Sequence, residues 1–304
     1  MKIAVLGPGG VGGLIAGALD RAGSEVVVVA REQTAGAIAR DGVHVQSVLL
    51  GDFVAHPRAL ARLDEPVDVL VVATKASGLA AALERIAATP AIVLPLLNGL
   101  DHLAVLRERL PAATVLAGAI RVEADRPRPG VVVHTSPFLL VNMASSEPAV
   151  APAVHALADT LTRAGVPAQV MDSEAQVMWS KLVRLNALAC TTSAYDVLLG
   201  EIRSTQRLRA DLLGAIEEGS AVARAEGADD VDPEKALAEL EAAHDTLGSS
   251  MQRDIAAGRE PELDAIPGAV MRAGARHGLR CPTIERLVAM IEARIAARES
   301  PPGR

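Results

Sequence analysis

Aromatic side chains are nearly missing from this 304-residue chain, with Phe53, Phe138, Trp179 and Tyr195 as the whole complement. A protein that holds single-stranded nucleic acid by stacking bases has almost no platforms here. A basic excess is missing too: 30 Lys and Arg stand against 37 Asp and Glu, for a formal net charge of −7. Without clustered cations, neither a nucleic acid nor an anionic membrane is an expected partner. Cysteine is scarce, and Cys190 and Cys281 form no CxxC pair and have no histidine at ligand spacing. That excludes a disulfide scaffold and argues against a zinc site, so no metal is expected. No apolar run reaches the roughly 18 uncharged residues of a membrane span. The apolar opening, residues 1–6, meets glycine too soon for a signal-peptide core. The expected location is the cytoplasm.

What remains is an aliphatic chain, half hydrophobic and built from Ala, Val, Leu and Ile. At about 150 residues per domain, the length predicts two domains with sizeable cores. The first half alternates β-branched runs with Ala/Leu-rich stretches, the pattern of βαβ units around a parallel sheet. Strands are expected at 2–7, 25–31, 43–49, 67–74 and 91–97, apolar enough to be buried on both faces. A first helix over 11–22 closes at Gly23. Later strands are expected at 114–124 and 130–141, joined by a Pro- and Arg-rich turn at 125–130, then a helix over 149–164 and a short segment at 166–171. Beyond that the strand-like runs stop. Ser173 with Gln176 three residues on is a capping-box pattern opening a long helix to about 193. Further helices are expected at 204–226, 233–258, 264–277 and 282–297, and the tail 299–304, with two prolines and a glycine, is expected to fray. The fold class is therefore α/β, a Rossmann-type parallel-sheet domain over 1–171 followed by an all-α domain over 172–304.

Gly7-Pro8-Gly9-Gly10-Val11-Gly12 fits GxGxxG directly after the first strand and opens the first helix. The first glycine serves a tight turn, the second a close approach to a pyrophosphate, and the third helix–strand packing. A structural glycine turn is the plain alternative, but the βαβ context points to a dinucleotide. The second strand ends in Arg31 rather than an acid, and a guanidinium there suits the 2′-phosphate of NADP. The alternative is that Arg31 is solvated and Glu32 binds the ribose hydroxyl of NAD. Reduction of a carbonyl then needs a general acid beside the nicotinamide. Lys75 and Asn98 follow the strands at 67–74 and 91–97, whose ends line the ligand crevice of an open parallel sheet. On position alone either could as well be a loop residue. Lys181 is a lone lysine in an apolar stretch beside Trp179. Partial desolvation would make it a better acid, and a snorkelling surface lysine is the alternative.

The chain resembles the ketopantoate reductase family over nearly its whole length. The anchors are Gly7 to Gly12, Arg31, Thr74-Lys75, Asn98-Gly99, Trp179-Ser180-Lys181-Leu182, Ser249-Ser250-Met251-Gln252-Arg253-Asp254-Ile255 and Glu260-Pro261-Glu262-Leu263-Asp264. The resemblance implies NADPH and reduction of a 2-oxo acid, specifically 2-dehydropantoate to pantoate in pantothenate and coenzyme A synthesis. It assigns the general acid to Lys181, the substrate hydroxyl to Glu262 and the substrate carboxylate to Ser250. It sets Lys75 and Asn98 between cofactor and substrate, touching both. A cation and hydrogen-bond donors facing a developing alkoxide are what electrostatic stabilisation requires.

The departures fall where substrate choice should lie. Family members often carry asparagines four and eight residues after the helix lysine, and here those positions are Leu185 and Ala189. Asn186, five residues on, lies about 140° around a regular helix from Lys181 and cannot stand in. Pro267 occupies a position where asparagine is common, and Arg184 is either a compensating charge or an unrelated surface residue. Cys190 is read as a packed helix residue, and His134, His244 and His277 as structural or exposed. Two other readings stay open. One is a related NADP-dependent oxidoreductase acting on another 2-oxo or 2-hydroxy acid, and the other a non-catalytic NADP-binding sensor. The Ala-rich helical half either buries a homodimer face or packs its own core.

Overall fold

The computed structural model describes residues 1–299, so the tail read as frayed lies, after its first residue, outside the described residues. Two compact units emerge. The first comprises Met1–Leu97 and Asp101–Val177, and the second Asn98–Leu100 together with the chain from Met178 onward.

The first unit runs β1 (Lys2–Leu6), α1 (Gly10–Arg21), β2 (Glu25–Val29), α2 (Glu32–Asp41), β3 (Val43–Ser47), β4 (Phe53–Ala55), β5 (Arg58–Leu60), β6 (Val69–Val72), α3 (Leu79–Leu83), β7 (Ile92–Pro95), α4 (His102–Arg109), β8 (Thr114–Val115), β9 (Ala117–Arg121), β10 (Ala124–Arg128), β11 (Val131–His134), β12 (Leu140–Ala144), α5 (Ala151–Arg163) and β13 (Ala168–Val170). Its main sheet has the order β5-β2-β1-β6-β7-β8, with every neighbouring pair parallel. Strand order reverses between β1 and β6, the switch point of a doubly wound fold. Alternate residues feed two cores. Ile3, Val5, Val26, Val28, Val69 and Val71 pack on one face, and Ala4, Leu6, Val27, Val29, Leu70 and Val72 on the other. Gly23, at φ 85°, ends α1 in the left-handed conformation its sequence position called for.

The strands expected at 114–124 and 130–141 are each divided between two sheets, β8 from β9 and β11 from β12, and three further sequence expectations need correction. The strand expected at 43–49 lies outside the main sheet, because β3 pairs parallel with β11 and antiparallel with β4 in a separate sheet ordered β10-β11-β3-β4. Its residues alternate Val43, His44, Val45, Gln46, which fits a strand buried on one face rather than two. The vacated edge of the main sheet is taken by β5, only three residues long and too short to show a pattern. Second, the expected turn at 125–130 is mostly the strand β10. Pro127 fits there because β10 is an edge strand whose register shifts between Asp125 and Arg128. Third, the helix expected over 233–258 is two helices, described next.

The second unit continues α6 (Glu174–Tyr195) and adds α7 (Leu199–Ser204), α8 (Gln206–Ala225), α9 (Pro233–Ala242), α10 (Ser250–Ala256), α11 (Ala269–Arg276) and α12 (Pro282–Glu299). Ser173 caps α6 through the Gln176 amide at 3.2 Å, as the capping-box pattern requires. Asp232 caps α9 by accepting from Glu234, with Pro233 in the first turn, and Ser249 restarts the helix as the cap of α10. A π-turn, Asp264–Gly268, precedes α11 and contains Pro267. The Glu218 carboxylate on α8 accepts from the Thr283 and Ile284 amides at 2.8 and 3.0 Å, fixing the start of α12. Among the described residues no helix is long and apolar enough to cross a membrane.

His134 fastens the smaller sheet. It is 1% exposed, with Nδ1 at 2.8 Å from Ser47 Oγ and Nε2 at 3.1 Å from Ser136 Oγ. Ser47 Oγ already accepts from the Leu49 and Leu50 amides, so its proton goes to Nδ1 and the ring carries its hydrogen on Nε2. Burial pushes this histidine below its ordinary value of 6.5, outweighing the raising effects of Phe138, Glu123 and Ser136. With the folded-state value depressed, the unfolded chain binds the extra proton first. The contribution is whole above about pH 6.5 and is lost as the pH falls below it. The Tm advantage of the wild type over His134→Gln is therefore expected to shrink as buffers go from pH 7.5 to 5.5, by about 2–4 °C for each kcal/mol lost. Parallel Tm curves over that range would contradict the assignment.

Candidate active site

In the first unit the glycine loop is shaped by what a side chain would strike. Gly7 has φ 86°, and a Cβ on it would lie 2.7 Å from Thr74 Cγ2. A Cβ on Gly12 would come within 2.3 Å of the Gly7 carbonyl oxygen, so only glycine lets α1 start this close to β1. Gly9 is different, because among the described residues nothing beyond its chain neighbours lies within 4 Å of its would-be Cβ. Pro8 and Gly9 thus lead into the first turn of α1, with Gly10 and Val11, beside open space and with no acidic residue in that turn. Such a helix start presents unsatisfied N–H groups and the positive end of the macrodipole. A phosphate fits this cradle, and a Cβ would fill it.

Arg31 stands exposed at the N-cap position of α2, two residues beyond the end of β2. The neighbouring carboxylate is engaged elsewhere. Glu32 takes Arg85 Nη1 at 3.0 Å and Nη2 at 3.4 Å, and the Arg85 guanidinium holds its carboxyl below the usual range. Lys75 is exposed three residues past β6, and its carbonyl accepts from the Gly78 amide at 3.1 Å in a single 3-10 turn.

In the second unit three half-buried side chains form one hydrogen-bonded chain. Lys181 Nζ donates to Asn98 Oδ1 at 2.8 Å, and Asn98 Nδ2 donates to Glu262 Oε2 at 2.8 Å. The two partners fix the amide orientation, since the oxygen must face the cation and the nitrogen the carboxylate. Asn98 is held by its neighbour. Gly99 has φ 87°, and a Cβ on it would come within 2.0 Å of the Ala265 carbonyl oxygen, so the Asn98–Leu100 segment lies directly on the π-turn backbone. Asn-Gly is a turn signal in any sequence, but nothing in the sequence names the surface the turn lies on.

Ser250 is exposed at the first position of α10, immediately after its cap. α6 is unbroken from Glu174 to Tyr195, so Asn186 stays off the lysine face. It is fully buried, and its Oδ1 accepts from Cys190 Sγ at 3.4 Å. Leu185 and Ala189 hold the lysine face in its place. Arg184 pairs with Glu239 at 3.2 Å. Cys190 is fully buried, and desolvation pushes its thiol well above the ordinary range, which suits packing and not nucleophilic chemistry. Cys281 is pushed up to about 11 by burial. His244 and His277 are bound to Thr246 and Glu226 at 2.9 and 2.7 Å. Among the described residues no group of three or more His, Cys, Asp or Glu is placed to hold a metal ion.

Comparison with known proteins shows the family. The family profile described as ketopantoate reductase PanE/ApbA matches residues 3–144, and that of the ketopantoate reductase PanE/ApbA C terminal matches residues 175–295. A 2-dehydropantoate 2-reductase of Mycobacterium tuberculosis is 31% identical over 303 residues, covering 96% of this chain and 97% of its own. The crystal structure of a PanE/ApbA family ketopantoate reductase from Ralstonia eutropha superposes with a TM-score of 0.86 at 27% identity, covering 99% of this chain and 100% of that one. D-mandelate dehydrogenase, solved with NADH and anilino(oxo)acetate, shares the fold with a TM-score of 0.87 at 22% identity over 99% of this chain and 100% of that one. This chain is an NAD(P)-dependent oxidoreductase belonging to the ketopantoate reductase family.

Proposed function

We propose that the protein reduces a 2-oxo acid to the 2-hydroxy acid with NADPH, 2-dehydropantoate being the first substrate to consider and pantothenate synthesis the pathway it would serve. The observation that carries this reading is the chain from Lys181 through Asn98 to Glu262. A bound reduced nicotinamide supplies the hydride. Lys181 is the general acid, giving a proton to the carbonyl oxygen as negative charge develops there. Asn98 holds the lysine amine in one place, so little reorganisation remains when the charge forms. Glu262, fixed from the other side by the same amide, accepts from a substrate hydroxyl. Ser250 donates to the substrate carboxylate. Gly7, Pro8, Gly9, Gly10, Val11 and Gly12 hold the pyrophosphate, and Lys75 and Asn98 flank the nicotinamide half.

NADP is favoured over NAD because Arg31 is exposed at the end of β2 while Glu32 is held by Arg85. The ribose of NAD would need that carboxylate. A second reading, reduction of a more apolar 2-oxo acid, is favoured by Leu185 and Ala189 on the lysine face of α6. Neither side chain can hydrogen-bond a substrate hydroxyl.

Two measurements test this. Following NADPH oxidation with a panel of 2-oxo acids, the wild type is expected to turn over at least one. Lys181→Ala is expected to lower kcat about 10²- to 10⁴-fold, the usual contribution of a positioned acid, while NADPH binding stays unchanged. Tight NADPH binding with no turnover across the panel would point instead to a sensor. Arg31→Ala is expected to raise KM for NADPH by about 10-fold or more, the worth of one charge-assisted phosphate contact, and to leave KM for NADH within about two-fold. Equal losses for both cofactors would remove Arg31 from 2′-phosphate recognition.

A further inference from the structure

Two sequence features are not used by the chemistry above, the hydroxyl run Thr191-Thr192-Ser193 and the first serine of Ser249-Ser250. They meet inside the second unit. Thr192 Oγ1 lies 2.7 Å from the Leu188 carbonyl oxygen and 2.9 Å from Ser249 Oγ. Ser249 Oγ in turn accepts from the Gln252 amide at 3.0 Å, closing the cap of α10. Each hydroxyl has one proton, so the directions are determined. Thr192 donates to Leu188, Ser249 donates to Thr192, and the Gln252 amide donates to Ser249. The result is a head-to-tail chain from the backbone of α6 to the first turn of α10. Thr192 is 0% exposed and Ser249 3%, so solvent does not replace a lost link.

The place where this chain leaves α6 matters. Thr192 follows Lys181 by eleven residues, which at 100° per residue puts it only about 20° from the lysine around the helix. Leu188 falls about 20° to the other side of Lys181. The chain therefore fastens the start of α10 to the same face of α6 that carries the lysine, three turns along. Ser250 is the next residue after the anchored cap, and the backbone at Ser249, φ −95° and ψ 157°, sets the direction in which it leaves.

We propose that Thr192 and Ser249 are positioning residues for substrate binding, which hold Ser250 in register on the Lys181 face of α6. The proposal rests on the 2-oxo-acid reductase reading given above. Neither residue touches substrate. Both act through Ser250, so their loss is read in KM for the oxo acid and not in the chemical step. Other fastenings keep the helix folded without them. Met251 is 1% exposed, and Gln252 Nε2 donates to the Val197 carbonyl at 3.3 Å.

The test compares wild type, Thr192→Val, Thr192→Ser and Ser249→Ala, with kcat, KM for the 2-oxo acid, NADPH Kd by fluorescence titration, and Tm. Thr192→Val keeps the shape and removes the link. It is expected to raise KM about 10-fold, in the range for one buried hydrogen bond broken on one side, with kcat and NADPH Kd within about two-fold. Thr192→Ser restores the hydroxyl and is expected to return KM to within about two-fold of wild type, while Ser249→Ala follows Thr192→Val. An unchanged KM in both Thr192→Val and Ser249→Ala, whatever their Tm, overturns the proposal, as does a serine variant that fails to restore KM. If Thr192→Val does not fold, Ser249→Ala decides alone. A wild type that binds NADPH but turns over no 2-oxo acid overturns the reductase reading, and this proposal with it.

Discussion

The candidate site depends on one side-chain amide. Asn98 sits between an amine and a carboxylate, and its amide offers an acceptor to the first and a donor to the second. Aspartate in its place would set two carboxylates against each other, and leucine would leave both partners without their link. The amide's own position depends on Gly99, whose missing Cβ lets the Asn98–Leu100 segment lie against the Ala265 carbonyl. A three-residue segment, flanked on both sides by chain that belongs to the first unit, thus supplies the centre of a cluster in the second.

α6 organises that second unit. It carries Lys181 and, on the same face, Leu185 and Thr192, so acid, apolar wall and anchor share one rigid element. Its other face buries Trp179 among aliphatic side chains. Gly219 of α8 allows an approach in which a Cβ would still sit 3.6 Å from Val183 Cγ2. Further along, Tyr195 and Arg286 both bond Asp211, tying α6, α8 and α12 together, and desolvation with the Asp211 bond pushes the tyrosine above its ordinary range. These are fastenings and not chemistry.

The sequence was most legible where a physical requirement forces a residue type. Strands buried on both faces must be apolar, so β1, β2, β6 and β7 stand out. A left-handed helix end needs glycine, so Gly23 does too. Legibility ended where an element is too short or is decided by distant partners. β5 has three residues and no periodicity, and β10 carries a proline that only its edge position and shifted register accommodate. The break between α9 and α10 has local signals in Gly248 and in Ser249, which restarts the helix as the cap of α10, but the tie from Ser249 to Thr192, 57 positions earlier, has none. Among the proposed site residues, the glycine loop and Arg31 are suggested by chain position alone. Lys181 could not be told from a surface lysine without the family resemblance, because the residues that hold it, Asn98 and Glu262, are 83 and 164 positions apart in their pairings.

The central claim is that Lys181 and Asn98 act as one unit. A double-mutant cycle on kcat/KM for the best 2-oxo acid, using Asn98→Ala, Lys181→Ala and the pair, tests it most directly. If the amide works by holding the lysine, its removal adds little once the lysine is gone, and the double variant falls to nearly the level of Lys181→Ala alone. If the two losses multiply, Asn98 and Lys181 act independently, and the account of the site is wrong.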